Sequence, residues 1–217
     1  FCLSVVRSFG PEPEIMHFQH EHRAGIFECD ETAVFCSDPL TVGKGHEQVE
    51  AVWFNPASVG VSKDGTAGNA LLFMHVWDSV SRDGRWMKND WTIKVDPDAI
   101  ILPDRLRDHL RPHTYETAFV RNCNKFPNDA DYPMMFGALE ALSKKALGTY
   151  LQNKAKCDAE LDWTKLGEDL YLQRCLVFLG VMGFADTGII GDNLCSGADC
   201  HDVGKAAFHP FKTKEAW

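Results

Sequence analysis

The sequence predicts a single α/β domain that spans residues 1–217. Three observations lead to this prediction. The length suits one domain of ordinary size, short β-branched segments alternate with segments of helical periodicity, and no internal repeat, low-complexity tract or linker divides the chain. Hydrophobic residues make up 45% of the chain and charged residues 24%, which is typical of globular proteins. We therefore expect one sizeable hydrophobic core.

The first part of the chain predicts two strands and at least one helix. Residues 2–6 and 32–36 are short, apolar and rich in β-branched side chains, as buried strands are. Residues 13–24 are polar and fit either a helix or a loop. Residues 70–80 repeat apolar side chains at near-helical spacing, which predicts an amphipathic helix.

The later part of the chain continues this alternation. Trp91, Ile93 and Val95 alternate with polar residues and predict a third strand. Glu168 and Asp169 open a predicted helix, where negative charge stabilises the positive end of the helix dipole. The predicted elements after the third strand are a helix at 103–109, a strand at 117–121, helices at 139–151 and 167–179, and a short strand near 189–190.

An acidic pair directly follows the third predicted strand. Asp96 and Asp98 flank Pro97 just past the carboxyl end of this strand, at the edge where open α/β sheets bind ligands. Two aspartates at this spacing form an oxygen-rich site, which suits Mg²⁺ or Mn²⁺ bridging the phosphates of a nucleotide. The alternative interpretation is an Asp-Pro-Asp turn that binds no metal.

Charge and hydropathy exclude two classes of partner. The net charge is -9 and the chain has no run of Lys or Arg, so no surface for nucleic acid or for anionic lipid is expected. The apolar stretches are much shorter than the roughly 20 residues that span a membrane, so no membrane span is predicted. The chain opens on an apolar run without the features of a targeting segment, which suggests a trimmed or partial product.

Eight cysteines are scattered over the chain without the paired spacing of a zinc module. This even number favours a disulfide-bonded protein of the secretory lumen or the extracellular space. Cys195 and Cys200 are close enough in sequence to close a small disulfide loop. Buried free thiols in a reducing compartment remain the alternative.

Five motifs occur in an order that resembles a known family. The motifs, in chain order, are Asp90-Trp91-Thr92-Ile93-Lys94-Val95-Asp96-Pro97-Asp98, Pro103-Asp104-Arg105-Leu106, Gly137-Ala138-Leu139-Glu140-Ala141-Leu142-Ser143, Gly167-Glu168-Asp169-Leu170-Tyr171 and His209-Pro210. This order resembles that of the fringe-like β-1,3-glycosyltransferases of the GT-A fold, over roughly residues 70–212. The resemblance implies a mixed, mostly parallel sheet flanked by helices.

The resemblance also implies an inverting, metal-dependent hexosyltransferase of the Golgi or secretory lumen. Its donor would be a nucleotide-sugar, with a UDP-sugar favoured, and its acceptor a hydroxyl of a glycan, glycoprotein or glycolipid. Asp96, Asp98 and His209 match the ligands of Mn²⁺ or Mg²⁺. Asp169 matches the general base that deprotonates the acceptor hydroxyl, with Glu168 as the second candidate.

The resemblance assigns Lys94 and Gly137 to donor binding. Trp163 precedes the acidic helix and is a candidate for stacking on an acceptor sugar, although a tryptophan of the core or rim explains it equally well. The alternative function is a non-catalytic domain of the same fold that serves as an accessory subunit of a larger assembly. That alternative predicts a filled cleft or dispersed acidic residues.

Overall fold

A computed structural model describes residues 1–63, 65–125, 127–128, 130–197 and 199–217. Within these residues, the α-helices are α1 (Glu12–Glu21), α2 (Ala70–Asp83), α3 (Pro103–Leu110), α4 (Lys144–Glu160) and α5 (Glu168–Phe178). The strands are β1 (Cys2–Val5), β2 (Thr32–Cys36), β3 (Thr41–Val42), β4 (Val49–Glu50), β5 (Val52–Trp53), β6 (Gly60–Val61), β7 (Ala67–Gly68), β8 (Trp91–Val95), β9 (Ile100–Ile101), β10 (Ala118–Arg121), β11 (Leu139–Ser143), β12 (Met182–Ala185), β13 (Ile190–Asp192) and β14 (Ala207–His209).

A seven-stranded sheet runs through the described chain in the order β12-β10-β11-β8-β1-β2-β5. Its strands are parallel except β11, which is antiparallel to both of its neighbours, β8 and β10. The predicted mixed, mostly parallel α/β sheet is therefore confirmed. Strand β8 lies at the centre of this sheet, so the acidic pair that follows it lies at the middle of the carboxyl edge.

Hydrophobic side chains cover the two faces of this sheet because successive strand residues point to opposite sides. Leu3 and Phe35 pack with α2, α4 and α5 on one face. Cys2 and Val34 pack on the other face with α1, α3 and a smaller sheet of β13, β14 and β9. The result is a layered α/β core, with the sheet buried between the two groups of helices.

The three-stranded sheet brings the late histidine to the acidic pair. Strand β9 begins two residues after Asp98 and pairs with β14, whose last residue is His209. The backbone N–H of Phe211 also donates to the carbonyl of Asp98, at 2.7 Å. Residues far apart in sequence are thus joined beside the end of β8.

One predicted helix boundary is wrong. The helix predicted at 139–151 begins at Lys144 instead, and Leu139–Ser143 form strand β11. All five residues of this strand are buried between β8 and β10, and this tertiary pairing overrides their helical propensity. Ser143 is the N-cap of α4, and its hydroxyl accepts the N–H of Ala146 at 3.2 Å.

The other boundaries agree more closely with the predictions. Thr32–Cys36 and Trp91–Val95 form the strands predicted from their patterns, and helices form at the three other predicted sites. The undecided segment at 13–24 contains most of helix α1. The strand predicted near 189–190 is Ile190–Asp192.

Three disulfides join Cys2 to Cys29, Cys123 to Cys195 and Cys157 to Cys175. These pairs confirm the prediction of a disulfide-bonded protein and fit a secreted or lumenal location. The predicted Cys195–Cys200 loop is wrong, because Cys195 pairs with Cys123 across 72 residues and Cys200 is an exposed free thiol. The fold, rather than proximity in sequence, decided this pairing.

No helix among the described residues is both long and apolar enough to cross a membrane.

Candidate active site and metal centre

A cleft of about 570 Å³ opens beyond the carboxyl end of β8. Five of the residues singled out in the sequence line it: Asp96, Gly137, Glu168, Asp169 and His209. Part of the lining comes from the β6–β7 hairpin, and part from the segment that contains Tyr132 and Phe136. The cleft is the place where Asp96 at the end of β8, the segment before β11 and the start of α5 meet.

Asp96, Asp98 and His209 form a cluster that could hold a metal ion. One ligand atom from each residue lies within 4.8 Å of the others, and all three residues are partly exposed. The Nε2 atom of His209 is 3.5 Å from Oδ1 of Asp98. Two carboxylates and one imidazole fit Mn²⁺ better than Mg²⁺, because Mg²⁺ prefers oxygen ligands only.

Asp192 holds the histidine of this cluster. Its buried carboxylate accepts a hydrogen bond through Oδ2 from Nδ1 of His209, at 2.7 Å. Asp192 ends β13 and lies directly opposite His209 on β14. Asp192 was not among the residues predicted from the sequence to form the site. Its position at the end of a predicted apolar strand was the available signal, but nothing in the sequence linked it to His209.

The electrostatic environment favours the carboxylate form of Asp98 and the protonated form of His209. Burial raises the pKa of Asp98, but the hydrogen bond and charge of His209 and the charge of Lys212 outweigh it, so the net pKa is lowered. Burial lowers the pKa of His209, and its contacts with Asp98 and Asp192 raise it overall. Asp98 is therefore a carboxylate at neutral pH, as a metal ligand must be.

Asp169 has the opposite environment. Burial and the charge of Glu168 raise its pKa to about 7. Its Oδ2 accepts the N–H of Gly137 at 3.0 Å, and its Oδ1 accepts the N–H of Leu170 at 2.7 Å. These two bonds orient a carboxyl group that lines the cleft and that can bind or release a proton near neutral pH.

Lys94 lies beneath the cleft and connects its two sides. Its fully buried ammonium group is 2.8 Å from Asp96 and 2.7 Å from Glu168, and it donates to the carbonyl of Gly137 at 2.7 Å. Glu140, its cross-strand partner on β11, is 3.4 Å away. Burial lowers the pKa of Lys94, but the carboxylates of Asp96, Glu168 and Glu140 raise it well above its usual value. Lys94 is therefore a permanent buried cation.

Glu140 and Glu168 are buried carboxyl groups that lie close enough for each to shift the pKa of the other. Burial raises the pKa of both, and the negative charge of Glu140 raises that of Glu168 further. Among the described residues, no donor forms a hydrogen bond to either oxygen of Glu140 or to Oε2 of Glu168, although the Lys94 ammonium group lies 3.4 Å from Oε1 of Glu140. A proton held by the pair would supply the missing donor and reduce the charge around Lys94.

Gly137 is required by the space around it. A Cβ atom at this position would lie 2.7 Å from Oε1 of Glu168 and 3.4 Å from Oδ2 of Asp169. Its carbonyl binds Lys94 and its N–H binds Asp169. This backbone position therefore supports both carboxyl groups at the start of α5, and no larger residue fits without displacing them.

Two of the predicted binding residues lie outside the cleft lining. The side chain of Lys94 is fully buried, so its contacts are with the carboxylates below the cleft. Trp163 is partly buried and packs against the hydrophobic core of the α2–α4–α5 face. Among the described residues, the Tyr, Trp or Phe side chains that line the cleft are Tyr132, which is 41% exposed, and Phe136.

Comparisons with known proteins bear on the fold. No protein-family model matches the sequence, and a search of the curated proteins finds no significant match. Among solved structures, the chain is similar to a glycosyltransferase involved in glycosylation of the major capsid of PBCV-1. The TM-score is 0.54 at 12% identity, and the match covers 96% of this chain and 93% of the other. The fold is that of a GT-A-type glycosyltransferase.

Two structures of the galactosyltransferase LgtC are more distant matches. One is an active-site mutant and the other a complex with donor and acceptor sugar analogs; the TM-scores are 0.46 and 0.45, each at 8% identity. Each match covers 96% of this chain and 86% of the LgtC chain. The GT-A part of the sequence prediction agrees with the fold, whereas the fringe-like family remains a prediction.

Proposed function

We propose that this protein is a metal-dependent glycosyltransferase that transfers a sugar from a nucleotide-diphosphate donor to a hydroxyl group of a glycan, glycoprotein or glycolipid. The observation that carries the proposal is the meeting of two groups in one cleft. Asp96 and His209 of the three-residue cluster line the cleft, and Asp169, with a pKa of about 7, lines the same cleft. The fold supports the same conclusion.

In this proposal, Asp96, Asp98 and His209 would hold Mn²⁺ or Mg²⁺, and the bound cation would offset the charge that develops on the leaving diphosphate. Asp169 accepts the proton of the acceptor hydroxyl. The hydroxyl oxygen then forms a bond to the anomeric carbon as the bond from that carbon to the diphosphate oxygen breaks. Attack opposite the leaving group inverts the anomeric configuration.

We assign the base role to Asp169 rather than Glu168 because of their surroundings. Glu168 also lines the cleft, but its Oε1 is bound to Lys94 at 2.7 Å, and its carboxyl group lies against that of Glu140. Asp169 lines the cleft and accepts hydrogen bonds from the backbone N–H groups of Gly137 and Leu170. A base with a pKa near the working pH is half-ionised there and can both take up and release a proton.

We favour an enzyme over an accessory subunit because the accessory role predicts a filled cleft or dispersed ligands. Here the cleft is open, and the three candidate ligands lie together. The three disulfides suit work in the secretory lumen or outside the cell, with the Golgi as the expected compartment. A UDP-sugar is the donor that we would test first.

Calorimetric titration of Mn²⁺ and UDP into the purified protein tests the metal and donor sites without knowledge of the acceptor. We expect UDP binding that requires Mn²⁺ and that is lost in the Asp96→Ala, Asp98→Ala double variant. A variant of two acidic residues on α3, Asp104→Ala and Asp108→Ala, is the matched control and should bind like the wild type. A folded wild-type protein that binds neither UDP nor GDP with Mn²⁺ would contradict the proposal.

A further inference from the structure

The late histidine of the metal cluster is held by a carboxylate that lies outside the cluster. Nδ1 of His209 is 2.7 Å from Oδ2 of Asp192, and Nε2 of the same ring is 3.5 Å from Oδ1 of Asp98. The two ring nitrogens therefore face different partners. One faces a buried residue behind the ring, and the other faces the cluster.

Chemistry determines which nitrogen carries the proton in the neutral ring. An ionised carboxylate can only accept a hydrogen bond, so Nδ1 must be the donor to Asp192. In the neutral imidazole, Nε2 is then left with a free lone pair. Nε2 lies 3.5 Å from Oδ1 of Asp98, among the candidate ligand atoms of the cluster, and a neutral ring with its proton on Nδ1 leaves Nε2 able to bind a cation there.

Asp192 is itself held in place by several contacts. Its Oδ1 accepts the N–H of Leu194 at 2.6 Å, and its carbonyl accepts the N–H groups of Cys195 and Ser196. The turn that follows is fixed by the disulfide from Cys195 to Cys123. Because Asp192 is only 2% exposed, water does not compete for its carboxylate.

We propose that Asp192 is a positioning residue for the metal site. It fixes His209 in the tautomer with the proton on Nδ1 and aims Nε2 at the cation. This inference rests on the proposed function, because it assigns a role toward the metal of that site. Removal of such a supporting carboxylate typically weakens metal affinity by about 10- to 100-fold.

The test variant is Asp192→Asn, which keeps the shape of the side chain. Asn has one acceptor oxygen in place of two, so it cannot reproduce the separate bonds of Oδ1 to Leu194 and of Oδ2 to His209. If the amide nitrogen faces the ring, the proton of the neutral imidazole moves to Nε2 and blocks the lone pair. We expect the Mn²⁺ affinity, measured by titration in the presence of UDP, to fall by about 10- to 100-fold.

The protein offers a matched control in a second histidine–aspartate pair. Nδ1 of His109 is also 2.7 Å from Oδ2 of its partner, Asp186, and this pair lies outside the metal cluster. Asp186→Asn should leave the Mn²⁺ affinity within about twofold of the wild type, since it touches no ligand of the cluster. In a His209→Ala background, Asp192→Asn should cause no further loss, because its effect is exerted through His209.

A second readout does not depend on the metal or on the variant. Long-range ¹H–¹⁵N correlation spectra of the metal-free wild type, at a pH where the imidazole is neutral, should place the proton of His209 on Nδ1. A proton on Nε2 would overturn the proposal, as would an Asp192→Asn protein with wild-type Mn²⁺ affinity. A wild type that binds no Mn²⁺ would overturn the proposed function itself, which is a different result.

Discussion

The two sides of the cleft treat the same chemical group in opposite ways. On the metal side, the contacts with His209 and Lys212 outweigh burial and lower the pKa of Asp98. On the opposite side, burial and the charge of Glu168 raise the pKa of Asp169 to about 7. One aspartate is thus kept charged and the other is balanced between its two forms. The environment, not the residue type, divides the two roles.

Lys94 belongs to both sides. Its ammonium group binds Asp96 on the metal side and Glu168 on the base side. With Glu140 included, this buried cation offsets three carboxyl groups that would otherwise repel each other. Lys94 lies outside the cleft lining, yet its charge acts on carboxyl groups of both sides.

The largest expected effect is the loss of turnover on the base side. Asp169→Asn removes the proton acceptor while it preserves the size of the side chain, so we expect the kcat for sugar transfer to fall by about 10²- to 10⁴-fold. Mn²⁺-dependent UDP binding should remain, because the metal ligands are unchanged. Asp162→Asn, at an exposed residue outside the cleft lining, is the control. Equal loss of UDP binding and turnover would argue against a role as base.

The second largest effect is expected from removal of the Lys94 ammonium group, which contacts both Asp96 and Glu168. Lys94→Met removes the only ammonium group that Glu140 and Glu168 contact among the described ion pairs, so we expect a loss of about 3–5 kcal/mol in the free energy of unfolding. Lys154→Met, which breaks a surface pair with Asp78, should cost about 0–1 kcal/mol. Chemical denaturation measures both values.

The loss in free energy of unfolding caused by Lys94→Met should increase with pH. Burial raises the pKa of Glu140 and Glu168 in the folded protein, and loss of Lys94 would raise it further. Such groups favour folding when protonated, and that contribution is lost as the pH rises through their folded-state pKa. The difference in the free energy of unfolding between the Lys94→Met variant and the wild type should therefore increase as the pH rises. A gap that is constant with pH would contradict the described ion pairs.

A smaller effect is expected at Gly137, where the two carboxyl groups of α5 meet the backbone. Gly137→Ala places a Cβ 2.7 Å from the buried carboxyl of Glu168, so we expect a loss of about 1–3 kcal/mol in thermal or denaturant unfolding. The matched control is Gly148→Ala within α4. Its Cβ would lie 3.7 Å from Trp86, and the change should stabilise the protein by about 0.5–1 kcal/mol. Stabilisation by both changes would refute the close packing at Gly137.

The smallest expected effect is the change of kcat/KM with pH in the wild-type protein. Because the pKa of Asp169 is raised to about 7 and the base must be ionised, kcat/KM should rise with pH and then level off. We expect about a tenfold increase between roughly pH 6 and pH 8, since the ionised fraction changes by that factor. Initial rates over this range, with saturating Mn²⁺, measure it. A profile that is already flat at about pH 5 would exclude a raised pKa for the catalytic base.

Several features of the site could be predicted because they depend on short stretches of sequence. Alternating side chains predicted β8, and the position of Asp96 and Asp98 after it predicted their place at the sheet edge. The acidic pair at the start of α5 was visible for the same reason. His209 came from the resemblance to a family, not from any local pattern. The fold then brought it to the aspartates through the pairing of β9 and β14.

The sequence by itself determined the periodicity of most strands and helices, the acidic edge of the sheet and the oxidised cysteines. Tertiary structure alone decided that Leu139–Ser143 form a strand, that Cys195 pairs with Cys123, that Asp192 holds His209, and that Lys94 lies buried among carboxyl groups. The physical reason is the distance along the chain over which each interaction acts. Periodicity and capping act over a few residues, whereas pairing, burial and pKa shifts depend on which distant segments the fold brings into contact.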